Sequence, residues 1–456
     1  MGMHKTRVIM LTTWDNYLFK RVDNSALVIF RMLYGILLAS EAIGSIAMGA
    51  VRRLFIEPQF TFAFIGFEFL EPLPGNGMYV LYALMGLAGI FISIGFKYRY
   101  AMLFYAVAWT YVYLMQKSSY NNHCYLIMLL NYIMVFLPAS RAVSIDVKRD
   151  KSYEQNYMYR YIYVFIITLL WIVYAYASIA KFYPDWMDGS FIKHLMATRG
   201  KDFELLQNPW VQAGILHFGL FFDMLIIPFL LWKRTRWLAV GSSVFFHIFN
   251  SIVFQIGVFP YLALSFLVFF FTTETLQKRF LRKKTFYNLS EVVVPKYKKL
   301  LVTSAGLFLL VMLLLPLRHW IIKDDVLWTE EGHKLSWRMM LRSRSGYAQF
   351  IIVDKNTKRR TNVNLTAYVA DKQLNSLQTK PDFMWQFSQR LKRIQAAQGN
   401  DVAVYVNAQV SINGGPYYQF TDPTVDLAAT SWNHFEHHEW ILPSPLNQKN
   451  SRLKKL

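Results

Sequence analysis

Cysteine is almost absent from this chain of 456 residues, which contains only Cys124. One cysteine cannot form an intramolecular disulfide, so any part that folds outside a membrane must be held by its own hydrophobic core. Charge is also scarce, since Asp, Glu, Lys and Arg make up 17% of the residues and hydrophobic residues 54%. This composition excludes an ordinary soluble protein and predicts a polytopic membrane protein.

Acidic residues are the scarcer charge, with 28 Asp and Glu against 49 Lys and Arg and a net charge of +21. The basic excess is concentrated in alternate loops between apolar segments. The positive-inside rule assigns those loops to the cytoplasm. The N-terminus is therefore predicted to be cytoplasmic and the C-terminal part extracytoplasmic. Membrane topology and contact with anionic membrane lipid explain the charge, and nucleic-acid binding is not expected.

Apolar runs long enough to cross hydrocarbon predict a polytopic α-helical membrane bundle of eight or nine spans. The nine segments are residues 27–49, 78–96, 99–115, 123–139, 161–180, 211–232, 237–255, 258–272 and 299–317. The seventh and eighth are short and closely joined, so a re-entrant pair and a count of eight stay open.

Hydropathy changes after the last span. Alternating runs at residues 347–353 and 402–410 predict strands, and residues 382–397 have helical spacing. The chain is therefore divided into a cytoplasmic N-terminal segment (1–26), a transmembrane helical domain (27–317) and a smaller β-rich extracytoplasmic domain (318–456).

Lys181 is the leading candidate for a catalytic residue, because it ends a long run that is almost free of charge. Partial loss of water disfavours the ammonium form, so an uncharged amine that acts as a base is predicted. A lysine that snorkels to the interface and caps a helix is the alternative. Topology brings His123, with Asn121 and Asn122 before it, to the same depth. His247 and Asn250 lie near that depth, although a structural role for His247 is equally favoured.

Two intramembrane charges, Arg31 and Asp223, are predicted to form a structural ion pair, since an unpaired charge in hydrocarbon is costly. A run of histidines at residues 434–438 has the spacing of a helical metal site but lies in a loop-like stretch between tryptophans. No metal site is predicted there.

The chain resembles the vitamin K-dependent γ-glutamyl carboxylases and their bacterial relatives that share the horizontally transferred transmembrane domain. Four segments in order carry the resemblance: Asn121-Asn122-His123-x-Tyr125-Leu126, Ala180-Lys181-x-x-x-Asp185-Trp186-x-x-Gly189, Phe246-His247-x-x-Asn250-Ser251 followed by residues 256–261, and Ser336-Trp337-x-Met339-Met340-x-x-Ser343-Arg344-Ser345. It implies that reduced vitamin K (menaquinol or phylloquinol) is oxidised by O2 to the epoxide, and that the strong base so formed lets CO2 carboxylate a peptidyl glutamate. Lys181 is implied to take the hydroquinone proton, with His123 stabilising an anion.

The resemblance also implies an isoprenoid quinol and a glutamate-containing peptide or protein as partners, and a bacterial inner membrane as the location. The chain departs from the family at Lys181, which is single where relatives carry a lysine pair, and at Arg342, which stands where they carry a histidine. The chain is also shorter than those of relatives, so its outer domain is expected to lack part of the surface that binds a substrate's propeptide. The resemblance therefore implies quinol oxidation more firmly than carboxylation of a protein glutamate. A quinol epoxidase without carboxylation, a non-catalytic membrane scaffold and a transporter are the alternatives.

Overall fold

The computed structural model describes residues 13–339 and 341–445. Residues 1–12 of the predicted N-terminal segment, Met340 and residues 446–456 of the predicted C-terminal domain lie outside the described residues.

Before the sheet domain the described chain is largely helical. The helices are α1 Thr13–Leu18, α2 Ser25–Ala47, α3 Gly77–Ile94, α4 Tyr98–Met115, α5 Asn122–Phe136, α6 Ile145–Arg149, α7 Arg160–Ile179, α8 Pro184–Met187, α9 Ser190–Arg199, α10 Pro209–Leu231, α11 Arg236–Phe254, α12 Phe259–Ser265, α13 Thr273–Phe280, α14 Lys298–Leu314, α15 Arg318–Ile321 and α16 Val326–Thr329. Strands β1 Arg21–Asp23 and β2 Tyr157–Tyr159 pair antiparallel ahead of α2 and α7.

Six helices within the described residues are long and apolar enough to cross a membrane: α2, α3, α7, α10, α11 and the continuous segment Lys298–Ile321. A seventh span is added if Phe259–Phe270 and α13, which meet at a bend of 120°, form one broken span. The predicted count of eight or nine is therefore not confirmed. The difference lies in α5, whose 15 residues fall short of the roughly 20 needed to cross hydrocarbon, and in α4, where Arg99 and several tyrosines lower the hydropathy.

Helices α2 and α3 pack in direct backbone contact. A Cβ atom on Gly35 would lie 2.3 Å from the backbone N of Ser93, and one on Gly89 would lie 2.5 Å from the backbone N of Ala39. Small residues let helices approach this closely, and such contacts drive association in a membrane, where apolar side chains gain little from leaving lipid. Helix α4 packs on α3, and α5 packs on α4.

Arg31 is fully buried in α2, and backbone carbonyls accept hydrogen bonds from both terminal nitrogens of its guanidinium, while its Nε has no partner among the described residues. Its Nη1 donates to the carbonyl O of Ala139 at 3.2 Å, and its Nη2 donates to the carbonyl O of Val143 at 2.8 Å. The predicted ion pair with Asp223 is therefore wrong, because Asp223 pairs with Lys181 instead. A guanidinium presents five N–H donors, so the carbonyls of one loop can satisfy an intramembrane arginine without an acid on another helix.

The C-terminal part folds around a four-stranded antiparallel sheet, as the alternating sequence predicts at the level of a smaller sheet-containing domain. Its strands are β3 Arg344–Asp354, β4 Arg360–Asn362, β5 Val402–Ile412 and β6 Tyr418–Gln419, in the order β4-β3-β5-β6. The long central pair runs in register from Arg344 opposite Ile412 to Asp354 opposite Val402. Helices α17 Asp371–Thr379 and α18 Pro381–Ala397 cover one face, where Phe383 and Phe387 pack in one core with Phe350 and Val404.

Residues 335–339, named the strap, lie against the first turns of α5. The ring of Trp337 stacks on that of Tyr125 with centroids 4.9 Å apart, and Nδ2 of Asn122 donates to the carbonyl O of Arg338 at 2.9 Å. The turn after β5 reaches the bundle as well, since Nδ2 of Asn413 donates to Oδ2 of Asp185 at 2.8 Å. These contacts seat the sheet domain on one end of the bundle, named the sheet-domain end.

Candidate active site

A cavity of about 180 Å³ lies at the sheet-domain end of the bundle. Helices α7, α9, α10 and α11 surround it, and the starts of α5 and α12 complete its wall. The polar side chains in that wall are Asn121, Asn122, His123, Tyr174, Lys181, Asp223, His247 and Asn250. The structure therefore brings six predicted site residues, Asn121, Asn122, His123, Lys181, His247 and Asn250, into one cavity, while their chemical roles stay predictions.

Lys181 lies two residues beyond the end of α7, in the turn that leads to α8. Its Nζ forms an ion pair with Asp223 and donates to the carbonyl O of Ala177 at 3.2 Å. The side chains of the pair are only 6% and 7% exposed. Nζ also lies 5.2 Å from the ring centroid of Trp186, within the range of a cation–π contact. Lys181 therefore belongs to a buried acid–base pair whose second member the sequence did not reveal.

His123 and His247 lie beside the same aromatic ring. The ring centroid of Phe259 is 5.7 Å from that of His123 and 6.1 Å from that of His247. Nε2 of His247 lies 3.2 Å from the hydroxyl O of Tyr174, and its Nδ1 has no hydrogen-bond partner among the described residues. The tautomer of His247 decides which of the two groups donates. Two imidazoles and a phenol thus occupy one wall of the cavity.

The asparagines before His123 differ in their contacts. Asn122 is buried, and its Oδ1 accepts a hydrogen bond from the hydroxyl of Tyr120 at 3.0 Å while its Nδ2 holds the strap. Asn122 therefore positions the first turn of α5, and Asn121 is the exposed residue that precedes it. Asn250 lies three residues after His247, on the same face of α11, and is also buried in the cavity wall.

Tyr174 and Trp186 were not predicted as site residues, and Asp223 was predicted to pair with Arg31. Tyr174 lies seven residues before Lys181, a spacing that puts two residues on one face of a continuous helix, and this was the signal that could have found it. Trp186 belongs to the resemblance segment that carries Lys181, but nothing in the sequence indicated its contact with Lys181 or the pairing of Asp223 with Lys181. Both contacts depend on how α8 and α10 are placed around the end of α7.

A second buried ionic cluster joins the chain before the strap to the chain after it. The guanidinium of Arg342 bonds both carboxylate oxygens of Glu330 and lies 2.8 Å from Nε2 of His333. Burial alone would raise the pKa of Glu330, but Arg342, His333 and Arg344 hold that pKa well below its usual range. Arg342, which departs from the family pattern, is therefore engaged in a network that orders the chain leading to β3.

The histidine run at residues 434–438 is also engaged in a structural contact. Nδ1 of His437 and Nδ1 of His438 each lie 2.7 Å from a carboxylate oxygen of Glu331. The hydrogen bond to Glu331 raises the pKa of His437. Across residues 13–339 and 341–445, no group of three or more His, Cys, Asp or Glu side chains is placed to hold a metal ion. These histidines tie the C-terminal segment to the chain that follows the last span.

Two family models match successive parts of the chain. Residues 19–274, more than half of the chain, match the model described as the HTTM domain, and this range contains every polar residue of the cavity wall. Residues 297–447 match the model described as the lumenal domain of the vitamin K-dependent gamma-carboxylase. No solved structure matches the chain at a significant level. The resemblance carried by the four sequence segments is confirmed, and the chain belongs to the vitamin K-dependent gamma-carboxylase family.

Proposed function

We propose that this membrane protein is a vitamin K-dependent carboxylase that couples oxidation of reduced vitamin K to carboxylation of a peptidyl glutamate. The observation that carries the proposal is the cavity in which the Lys181–Asp223 pair and His123 share one otherwise apolar enclosure. Family membership supports a carboxylase-like activity and a vitamin K cofactor. Reduced vitamin K, when O2 oxidises it to the epoxide, supplies a base strong enough to remove a γ-proton from glutamate, and CO2 then adds to that carbon.

Lys181 is the proposed acceptor of the quinol hydroxyl proton. A site of low dielectric disfavours separated charges, so a neutral amine beside a neutral carboxylic acid competes with the ion pair. When Asp223 holds the shared proton, Nζ of Lys181 is an uncharged amine, and its lone pair can accept the quinol proton once the hydrogen bond from the Asp223 carboxyl to Nζ is released. Once Nζ has taken a proton from the ligand, the carbonyl O of Ala177 and the ring of Trp186 help to stabilise the ammonium.

His123 is the proposed hydrogen-bond donor to negative charge that develops on the ligand. Its ring lies beside Phe259 at the start of α5, where Asn122 fixes the first turn through the strap. A donor held in place before the reaction stabilises a developing anion more effectively than water does, because nothing has to reorient. His247 is the proposed second donor, oriented by the hydroxyl of Tyr174.

The cavity wall fits an isoprenoid quinol, because its polar groups are few and most of its remaining residues are aromatic or aliphatic. Six phenylalanines line it: Phe218, Phe245, Phe246, Phe249, Phe254 and Phe259. They exclude water that would quench a strong base. The rings of Phe218 and Phe245 lie 5.7 Å apart at the contact between α10 and α11, and Phe245 is 61% exposed on the outside of the bundle. We propose that the isoprenoid tail leaves the cavity for lipid beside this contact.

The decisive experiment uses purified protein in detergent with vitamin K hydroquinone, O2, labelled CO2 and a glutamyl peptide. Epoxide and fixed label are measured separately. We expect both products from the wild type, and a loss of about 10²-fold or more in epoxide from Lys181→Ala. The matched control is Lys193→Ala, which removes an exposed lysine from the neighbouring helix α9. An active Lys181→Ala variant would contradict the proposed role of the lysine.

The same assay separates the alternatives. Epoxide without fixed label indicates a quinol epoxidase that lacks carboxylation. Absence of both products from folded wild-type protein favours a membrane scaffold, or a transporter if the protein moves solute across vesicles. On the basis of the basic loops we further propose a cytoplasmic N-terminus and an extracytoplasmic sheet domain that receives the glutamyl peptide. A bacterial inner membrane is proposed from the resemblance to the bacterial relatives. Protease protection of the sheet domain in sealed vesicles tests this orientation.

A further inference from the structure

A second cavity of about 30 Å³ lies directly behind the active-site cavity. The two cavities share Tyr174, Phe259 and Met339, so a single layer of side chains separates them. From that layer the second cavity follows α10 through Ile227 to Leu230, away from Asp223 and from the sheet-domain end. It therefore adjoins the wall of His123 and His247 on the side opposite to the sheet domain.

The wall of this second cavity is apolar. Among the described residues that line it, Tyr174 and Ser243 are the two that carry a side-chain hydroxyl, and the hydroxyl of Tyr174 contacts His247 at 3.2 Å. A buried water needs two to four polar partners. This wall offers only the minimum of two, and Tyr174 is already engaged with His247, so the cavity favours an apolar occupant over water. A volume of about 30 Å³ exceeds the roughly 10–15 Å³ that a cavity needs to hold one water-sized molecule, and it is one sixth of the volume of the active-site cavity. The second cavity therefore accepts a very small molecule.

We propose that this second cavity holds O2 beside the reacting quinol, an inference that rests on the proposed function. O2 is small and apolar, and it partitions into the hydrocarbon that surrounds α7, α10 and α11. In the proposed scheme, glutamate and CO2 react on the side of the active-site cavity that faces the sheet domain. The second cavity lies beyond Phe259, on the other side, so O2 held there can meet the quinol ring from that side. A dry reservoir there raises the local concentration of the oxidant without admitting water.

Ala263 provides the kinetic test, because it lines the second cavity and not the first. Ala263→Leu adds three carbon atoms to the cavity. We expect the KM for O2 to rise about tenfold, while the KM for the quinol and kcat at saturating O2 stay unchanged. Ala263→Val, which adds two carbons, gives a smaller rise and serves if the leucine variant does not fold. The matched control is Ala213→Leu on an exposed face of α10, for which no change is expected.

A second measurement does not depend on turnover. Crystals pressurised with krypton should show an anomalous peak in this cavity in the wild type and none in Ala263→Leu. An unchanged KM for O2 in a folded Ala263 variant overturns the inference, as does a change in the KM for CO2 instead, or the absence of krypton from the wild-type cavity. Folded wild type that binds krypton but consumes no O2 with the quinol overturns the proposed function as well, so the two failures are distinguishable.

Discussion

The pairing of Lys181 with Asp223 makes Asp223→Asn the most informative substitution in this protein. Asn keeps the shape of the side chain and removes the charge that neutralises the buried Lys181. A structural pair and a catalytic pair predict different outcomes for this change. If the pair is only structural, the substitution lowers the free energy of unfolding and leaves the rate of quinol oxidation unchanged. If the pair is catalytic, the substitution lowers both.

The expected loss of stability follows from burial. Removing one partner of a buried pair costs about 3–5 kcal/mol, because the other charge stays buried alone. Lys181 keeps the carbonyl O of Ala177 at 3.2 Å and the ring of Trp186 at 5.2 Å, and each contact recovers on the order of 1 kcal/mol. We therefore expect Asp223→Asn to lower the free energy of unfolding by about 2 kcal/mol. Lys181→Met, which leaves Asp223 buried and removes both contacts, should lower it by about 3–5 kcal/mol.

The double variant Lys181→Met/Asp223→Leu separates the two roles. An apolar pair of similar volume should restore the free energy of unfolding to within about 1 kcal/mol of the wild type, while epoxide formation stays at least about 10²-fold lower. Unfolding is followed by tryptophan fluorescence in a denaturant titration, and epoxide is measured by chromatography. Additive losses from the two single variants would refute the coupling of the pair. Recovery of activity in the double variant would refute its role in proton transfer.

Three further predictions concern the scaffold. Gly35→Ala should prevent close packing of α2 on α3 and lower the thermal stability in detergent, whereas Gly306→Ala, where an added Cβ meets nothing within 4 Å, should be neutral or slightly stabilising. Arg342→Ala should lower the stability of the sheet domain by about 3 kcal/mol, because Glu330 stays buried without its bidentate partner, and limited proteolysis of the strap region should detect the change. Burial lowers the pKa of Lys380 from 10.5 to about 8. Between pH 8 and pH 10.5, Lys380 therefore carries a proton in the unfolded chain that it lacks in the folded chain. Lys380 should therefore contribute a rise in stability of up to about 3 kcal/mol between pH 8 and 10.5. Because burial also lowers the pKa of Lys117 to about 8, chemical denaturation across this range should show a smaller rise in Lys380→Met than in the wild type.

The candidate site was predictable where a polar residue interrupts an apolar run. His123, Lys181 and His247 stand out for this reason, and the direction of the spans was enough to suggest that they lie at similar depth. Tyr174 was missed because tyrosine is common in this chain, which has 28 of them, so one more within a span is not conspicuous. The second cavity has no sequence signal, since apolar side chains that leave a gap look the same in sequence as those that close it.

The count of spans was less predictable than their positions. Each predicted segment contains a helix, yet α5 is too short to qualify as a span on its own, and the segment after α12 bends by 120° into α13. A hydropathy window detects an apolar stretch and does not detect a bend within it. Packing against neighbouring helices decides whether such a stretch crosses the membrane or turns back.

The amino-acid sequence alone determined that the protein is built of membrane helices followed by a smaller domain with a sheet, because hydropathy and residue alternation are local properties of the chain. Only the tertiary structure decided which polar groups meet. Asp223 lies 42 positions from Lys181, and Arg31 bonds carbonyls more than 100 positions away. Every buried charge requires a partner. Which partner it meets depends on the rotation of each helix about its axis and on its shift along that axis. Both depend on the packing of all the neighbouring helices, which no local stretch of sequence specifies.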